Sequence, residues 1–506
     1  MLSDALDIAK TSVHKKDILQ QISRTGTFVG LLTAGKYLDD SNNDVQQAAV
    51  QAVRSIALEH PEFYGPEITA LLNKAMAVNK DVEADYQKQA IMKHLSELPK
   101  DGGFVSMFNG KDLTGWKGLV ENPIARSKMT PKQLAEKQVK ADEIMRRDWK
   151  VINGLMVFEG KGYDNLCSEK DYADFEMYVD WRIAPKGDAG IYLRGSPQVQ
   201  IWDIANRGAS VGSGGLFNNQ KHLANPLVVA DNPVNEWNSF YIKMLGEKVT
   251  VYLNGQLVVD NITLENYWDR KLPIFEKDAI ELQAHGDRTE YRNIYVREIP
   301  RYRVSDAEKA EGFVPMFNGI DMSGWVGNLS AYFPQDGAIV CDPARSTGSG
   351  GNLYTDKEYG DFIMRFEFQL TPAANNGIGI RAPLTGDAAY GGTEIQVLDN
   401  EAEAYRNLQP YQYHGSAYGI IPAKRGYLKP IGEWNVQEIY VKEYRVRVTL
   451  NGTVILDGDL KEASNNFTKT MDGYNHPGLA NKSGHIGFLG HGSWVAFRKL
   501  RIKEIK

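Results

Sequence analysis

The stretch VTVYLNGQLVVD (249–260) has the pattern of a β-hairpin and decides the fold class of the region around it. Apolar and polar residues alternate on both sides of Asn254-Gly255, and an Asn-Gly pair supplies the positive-φ residues that a type I′ turn requires. The same pattern returns as VRVTLNGTVILD (446–457), with Asn451-Gly452 at the turn. The two halves of the chain therefore repeat one β-structure.

Other phrases recur around the hairpin in the same order, which extends the repeat. They are GFVSMFNGKDLTGW and GFVPMFNGIDMSGW (103–116 and 312–325), GIYLRG and GIGIRA (190–195 and 377–382), QVQIWD and EIQVLD (198–203 and 394–399), and IELQAHG and IGFLGHG (280–286 and 486–492). Short alternating strands without intervening helices indicate antiparallel sandwiches. The sequence predicts two tandem jelly-roll domains, 101–300 and 301–506, of the larger lectin/glucanase-like size.

Residues 1–100 are poor in glycine, and Ala, Leu, Gln and Lys recur there at helical spacing. Short helix pairs with apolar stripes are typical of HEAT-like repeats, so we expect a small α-helical, repeat-like region here, as the end of a longer solenoid. Asn43 and Asp44 are predicted to cap one helix. A helical insert is predicted at 130–147, inside the first β-domain.

Bulk properties exclude several function classes. The 506 residues carry a net charge of −6, which gives no basic footprint for nucleic acid. No apolar run is long enough to predict a membrane span, and the first residues lack the pattern of an export signal. No Gly-rich phosphate loop precedes a helix, so no nucleotide cofactor is expected. The sequence does not determine the oligomeric state.

Strand parity selects the candidate functional residues. In EIQVLD, Ile395 and Val397 point to the core, so Glu394 and Gln396 belong to the opposite, solvated face. Simple solvation of a polar outer face is an equally good interpretation for any single strand. In the first copy, the strand QVQIWD has the same alternation, which places Gln198, Gln200 and Trp202 on this face.

A second strand adds a histidine to the same face in each copy. IELQAHG exposes Glu281, Gln283 and His285, and its counterpart IGFLGHG exposes His491. A histidine before glycine at a strand end is more often a turn residue than a catalyst. Its recurrence, together with an arginine at matching positions, favours a function for this face. The arginines are Arg194 and Arg381.

Aromatic residues offer surfaces on which a sugar ring can stack, although most aromatic side chains of a sandwich belong to its core. The loop YQYHGSAYG (411–419) is predicted to form a cleft wall with Tyr413 and His414. The paired carboxylates of a retaining β-glucanase are absent, because Gln396 stands where the second acid should be. Other aromatic candidates are Tyr192, Tyr267, Trp268, Tyr411 and Tyr418.

Taken together, F-N-G-x-D-[LM]-[TS]-G-W, Y-x-D-F, G-I-x-[LI]-R, [EQ]-[VI]-Q-[IV]-x-D, E-W-N, L-N-G and H-G-x(3,4)-[FY]-R resemble the 3-keto-disaccharide (3-keto-glycoside) hydrolase domain family. The resemblance covers roughly 101–300 and 311–506 and implies the concanavalin A-like lectin/glucanase fold. It further implies an exported, periplasmic or cell-surface enzyme that acts on carbohydrate.

The implied chemistry is removal of the C2 proton of a 3-keto sugar, loss of the C1–oxygen bond and later addition of water. This route needs one base and one electrophilic stabiliser. The resemblance suggests His491 or Glu394 as base or metal ligand and Arg381 as stabiliser, with a divalent metal ion as another electrophile. The corresponding set in the first copy is His285, Glu281 and Arg194. Two alternatives remain at this point: a non-catalytic tandem carbohydrate-binding protein, and a protein-binding scaffold.

Overall fold

The computed structural model describes residues 2–99, 102–159, 162–205, 211–299, 302–345 and 351–505. Its contacts divide the chain into two compact units, Met1–Ile299 and Pro300–Lys506. Four antiparallel sheets make up two β-sandwich domains, and helices precede the first. The predicted mainly-β fold with two tandem sandwiches after a helical region is confirmed.

The helical region packs on the first sandwich and shares a core with it. The Phe28 ring stacks on Tyr178 of the sandwich, with ring centroids 4.5 Å apart. The predicted helix cap is wrong by one position, because Asn42 accepts the backbone N–H groups of Asp44 and Val45 at 3.1 and 3.2 Å. The helices are α1 (Leu2–Ile8), α2 (Ser12–Thr25), α3 (Phe28–Gly35), α4 (Asn43–Glu59), α5 (Pro66–Val78) and α6 (Ala84–Glu97).

The first sandwich packs an eight-stranded sheet on a five-stranded one. Its elements are β1 (Val105–Ser106), β2 (Trp116–Gly118), α7 (Pro123–Ser127), α8 (Pro131–Asp148), β3 (Trp149–Ile152), β4 (Leu155–Phe158), β5 (Leu166–Tyr172), β6 (Phe175–Ile183), β7 (Asp188–Leu193), β8 (Ser196–Trp202), β9 (Asn238–Leu245), β10 (Lys248–Leu253), β11 (Gln256–Thr263), β12 (Asp278–Leu282) and β13 (Thr289–Glu298). The smaller sheet has the order β2-β5-β12-β7-β8. Helix α8 confirms the predicted insert.

The second sandwich repeats this plan in the second unit. Its elements are α9 (Asp306–Glu311), β14 (Val314–Pro315), β15 (Trp325–Gly327), β16 (Tyr332–Gln335), β17 (Ala338–Cys341), β18 (Asn352–Tyr359), β19 (Phe362–Leu370), β20 (Asn375–Ala382), α10 (Ala388–Gly391), β21 (Thr393–Leu398), β22 (Trp434–Lys442), β23 (Arg445–Leu450), β24 (Thr453–Asp459), α11 (Leu460–Ala463), β25 (Gly484–Gly490) and β26 (Val495–Glu504), with short 3₁₀ turns at Pro343–Arg345, Glu403–Tyr405, Pro410–Gln412 and Pro477–Ala480. The smaller sheet has the order β15-β18-β25-β20-β21.

Both hairpins form as predicted. Asn254 and Gly255 have φ values of 51° and 80°, and Asn451 and Gly452 have values of 48° and 85°, as a type I′ turn requires. Alternating apolar side chains of the two sheets meet between them and form one core per sandwich. In the described part of the chain, no helix combines the length and apolar character needed to cross a bilayer.

The doubled phrase at the start of each sandwich is structural. Trp116 and Trp325 are each 3% exposed. Their indole N–H groups donate to the carbonyls of Met107 at 2.7 Å and Met316 at 3.0 Å. The phrase therefore anchors the first turn of each domain, and functional residues must be sought on the smaller sheets.

Candidate active site

Two glycines open the outer face of the smaller sheet in the second domain. Gly377 of β20 faces Gln396 of β21 and Leu489 of β25, and Gly379 faces Glu394. A Cβ atom on Gly377 would lie only 2.7 Å from Cδ and 2.8 Å from Cγ of Glu394. The missing side chain thus provides the space that the Glu394 carboxylate occupies.

Glu394 and His491 meet on this face. The Glu394 Oε1 atom lies 3.8 Å from Nε2 of His491. Glu394 is only 3% exposed, and its Oε1 atom is buried with no hydrogen-bond partner. The neighbouring Glu394 carboxylate raises the pKa of His491, against the effect of burial. Because the His491 side chain is 48% exposed, the pair connects a buried carboxylate to the solvent side of the sheet.

The predicted face is correct in parity but wrong in exposure. Glu394 and Gln396 are 3% and 5% exposed, and Gln198 and Gln200 of the first domain are 4% and 2% exposed. In the second domain, Tyr354, Leu489 and residues at α10 form a small apolar cluster beside them. These polar residues therefore do not form a solvated surface. Because they are buried, each needs hydrogen-bond partners within the protein.

The arginines do not join the site. The Arg381 guanidinium is 6% exposed and donates to the carbonyls of Gly360, Glu443 and Asn481 at 3.1, 2.7 and 2.9 Å. It also pairs with Asp361 at 2.8 Å. The expectation that it stands beside Glu394 and His491 is therefore not met.

Arg194 repeats this arrangement in the first domain. It is 2% exposed, pairs with Asp174 and donates to the carbonyl of Ala173. Both arginines have a φ of 52°. Arg381 lies at a break in the strand register of β20, and Arg194 lies in the turn between β7 and β8. In both domains the recurrent arginine thus forms an ion pair with the aspartate of the Y-x-D-F motif, which is Asp174 or Asp361.

Two predicted substrate-binding residues of the second domain lie in the interior. His414 is 1% exposed, stacks on Phe368 and lies 2.9 Å from Oε1 of Gln437 through its Nε2 atom. Burial lowers the pKa of His414 to about 4, so it is a neutral core histidine at pH 7. Tyr413 is 4% exposed and donates to the carbonyl of Arg406 at 3.2 Å. Neither side chain lines the Glu394 site.

The histidine of the first domain has a different carboxylate partner from the one expected. His285 Nδ1 lies 3.6 Å from Oδ2 of Asp188, at the start of β7. Gln200 donates to Oδ1 of the same Asp188 at 2.8 Å, and Gln198 donates to Gln200 at 2.6 Å. The two glutamine side chains thus lead to Asp188, which is the carboxylate beside the histidine in the first domain. In the second domain that carboxylate is Glu394, on the facing strand.

Glu281 lies further along β12 and forms a separate buried group. It is 1% exposed, accepts a hydrogen bond from Asn165 at 3.1 Å and faces Tyr192 across the strand pair. Burial raises the pKa of Glu281 to about 7, against the effects of the Asn165 hydrogen bond and the Arg126 charge. A carboxyl group with such a pKa can take up and release a proton near neutral pH.

Two further predicted residues of the first domain are Gln283, just after β12, and Trp202, at the end of β8. The Oε1 atom of Gln283 is buried without a hydrogen-bond partner, close to where a Cβ on Gly190 would be. Trp202 meets Phe217 edge-on, and its N–H donates to the carbonyl of Gly212 at 3.0 Å. Trp202 is thus held by the loop that follows β8.

Sequence reasoning missed Asp188 and Asn165. Asp188 stands two and four residues before Gly190 and Tyr192, so strand parity alone could have placed it on the functional face. Asn165 precedes β5 in an irregular segment and gave no such signal. Across the described ranges, no group of three or more His, Cys, Asp and Glu side chains is arranged to hold a metal ion.

Comparison with known families identifies a match in both sandwiches. The family described as 3-keto-alpha-glucoside-1,2-lyase-like domain matches residues 103–297 and 312–503. A 3-keto-disaccharide hydrolase from Bacteroides thetaiotaomicron is 27% identical over 230 residues, which are 39% of this chain and 79% of that protein.

Solved structures with similar sequences come from Parabacteroides distasonis. One putative glycosyl hydrolase is 27% identical, with a TM-score of 0.34 over 38% of this chain and 99% of its own. Another is 24% identical, with a TM-score of 0.36 over 40% of this chain and 99% of its own.

Proposed function

Because the chain belongs to the family of 3-keto-α-glucoside-1,2-lyase-like domains, we propose that it is a carbohydrate-active enzyme that cleaves the glycosidic bond of 3-keto-glycosides. The observation that carries this proposal is the Oε1 atom of Glu394, which is buried without a hydrogen-bond partner and lies 3.8 Å from His491 Nε2. An unsatisfied buried carboxylate oxygen costs free energy, which a functional role explains.

The ketone at C3 acidifies the C2 proton, so a single carboxylate can act as the base. Glu394 takes this proton, and the electron pair of the C2–H bond moves toward the C3 oxygen. The C1–oxygen bond then breaks as the C1=C2 double bond forms, and the aglycone leaves. Water adds to C1 and a proton returns to C2, so that the net reaction is hydrolysis.

His491 takes the role of stabiliser that the sequence suggested for Arg381. Its pKa is raised by Glu394, which favours the imidazolium, and its half-exposed ring can reach a bound sugar. A cation placed where negative charge develops on the C3 oxygen lowers the barrier. In place of the imidazolium, a divalent metal ion held by Glu394 and His491 would supply the electrophile at the C3 oxygen.

The test uses the purified full chain with a 3-keto-disaccharide and with 4-nitrophenyl 3-keto-glucoside. We expect aglycone release and, in D₂O, deuterium at C2 of the released sugar. Glu394→Gln should lower kcat by about 10²- to 10³-fold, because it removes the base and keeps the shape.

Glu281→Gln is the matched control in the first domain. A loss confined to Glu394→Gln assigns the chemistry to the second domain, and a loss confined to Glu281→Gln moves it to the first. If the wild-type chain binds these sugars without turnover, the non-catalytic carbohydrate-binding alternative replaces the proposal.

The proposed location is the periplasm or the cell surface, by resemblance to exported members of the family. Fractionation of the native host with an antibody against the chain tests this, and recovery only from the cytoplasm would contradict it.

A further inference from the structure

Among the residues that the structure describes, the second domain carries a buried acid–histidine pair without a counterpart in the first. Asp472 Oδ2 lies 2.9 Å from Nε2 of His476, and their side chains are 4% and 1% exposed. The pair lies between α11 and β25, in a segment of residues 464–483, whereas the first domain connects β11 and β12 through 264–277 only. The segment is therefore an elaboration of one copy of the repeat.

The pair leaves one nitrogen of the histidine unused. His476 Nδ1 is buried and has no hydrogen-bond partner. Asp472 is itself fixed, because its Oδ1 atom accepts the N–H of Tyr474 at 3.0 Å. With Nε2–H donated to Asp472, Nδ1 is left as the free ring nitrogen, and the Asp472 carboxylate fixes the orientation of the ring.

This pair borders the site of Glu394. The N–H of Tyr418 donates to the Glu394 carbonyl at 2.9 Å. The next residue, Gly419, lies against the pair, since a Cβ there would be 2.9 Å from His476 Nε2. One short loop thus connects the backbone of Glu394 to His476.

Tyrosine side chains cover the pair on its other side. The Tyr390 ring, from α10 on the edge of the smaller sheet, lies 4.5 Å from the His476 ring. Tyr474 meets Tyr390 edge-on at 6.1 Å and is 67% exposed. The two tyrosines in edge-on contact give an aromatic wall that suits a sugar or an aromatic aglycone.

We propose that His476, held by Asp472, is the general acid that protonates the departing glycosidic oxygen in the second domain. This inference rests on the proposed function. As the C1–oxygen bond breaks, its electron pair stays on the aglycone oxygen, and the Nδ1 proton of His476 transfers to it. Neutral His476 then accepts a proton from the water that adds to C1, which restores the acid.

The experiment compares leaving groups of different basicity in the full-length His476→Gln variant. A second sugar is a poor leaving group and needs the proton, whereas 4-nitrophenolate needs it far less. We expect kcat for the 3-keto-disaccharide to fall about 10²- to 10³-fold, and at least tenfold more than for 4-nitrophenyl 3-keto-glucoside. The ratio of the two losses does not depend on how much of the variant is folded.

Asp472→Asn is the second variant and should show the same selective loss to a smaller degree, since it removes the charge that orients His476. Equal losses on both substrates, or none on either, would overturn the role of His476. The proposed function fails separately, if the wild-type chain turns over neither substrate and exchanges no deuterium at C2.

Discussion

Replacing Gly377 with alanine tests whether the position of the Glu394 carboxylate matters. The new Cβ would stand 2.7 Å from Cδ of Glu394, well inside van der Waals contact, so the carboxylate must move. Gly377 has no positive φ, so alanine fits its backbone. The strain therefore falls on the functional side chain and not on the strand.

The size of the effect follows from this displacement. A shift of about 1 Å in a catalytic group costs roughly 10²-fold in rate. Overpacking costs about 1–3 kcal/mol of stability, and loss of the glycine entropy offsets about 0.5–1 kcal/mol of this. Gly377→Ala should accordingly fold and lose about 99% of its activity.

Gly379→Ala on the same strand is the matched control. Its Cβ would meet Leu489 Cδ2 at 3.3 Å, a distance that a small side-chain adjustment relieves. Initial rates on 4-nitrophenyl 3-keto-glucoside, with urea unfolding of each variant, separate activity from stability. If Gly377→Ala keeps the wild-type rate, the carboxylate position is not catalytic and the reasoning fails.

Other perturbations have equally direct outcomes. Burial raises the pKa of Glu281 to about 7 from its ordinary 4.5, so the folded state holds a proton that the unfolded state releases. Stability should therefore fall by on the order of 3 kcal/mol as the pH rises from about 4.5 to 7, and urea unfolding of Glu281→Gln should lack this dependence. Arg381→Ala should cost about 3–5 kcal/mol, since it leaves Asp361 without its guanidinium, while kcat per folded molecule stays unchanged; a loss of kcat at full folding would return Arg381 to the site. A metal requirement stays a prediction: chelator dialysis should lower activity and Mg²⁺, Mn²⁺, Ca²⁺ or Co²⁺ should restore it, and unchanged activity after dialysis would contradict it.

Local patterns in the sequence predict the sandwiches well. Alternation and the Asn-Gly turns specify strands whose faces are set by a period of two, so Glu394, Gln396 and Gln198 lie on the side that parity assigned. The contact of Glu394 with His491 is consistent with parity, since both residues were placed on one face of the smaller sheet, on the two strands that flank β20.

The sequence could not predict what covers that face or where long side chains turn. Arg381 stands one residue outside the regular register, and its positive φ sends the guanidinium to three carbonyls of distant loops. His414 is buried by Phe368 and Gln437, which are far from it in sequence. Such partners depend on tertiary packing, which strand periodicity does not encode.

The shared core of the helices and the first sandwich has a consequence for dividing the chain into fragments. A fragment that starts near residue 102 would uncover the Tyr178 ring and the aromatic neighbours that Phe28 now covers. The same face of the second sandwich carries Arg365 and Glu367, which form ion pairs with charged side chains of the second unit. The second unit is therefore the better candidate for expression alone, and the first should be kept with its helices to avoid aggregation through the exposed aromatic patch.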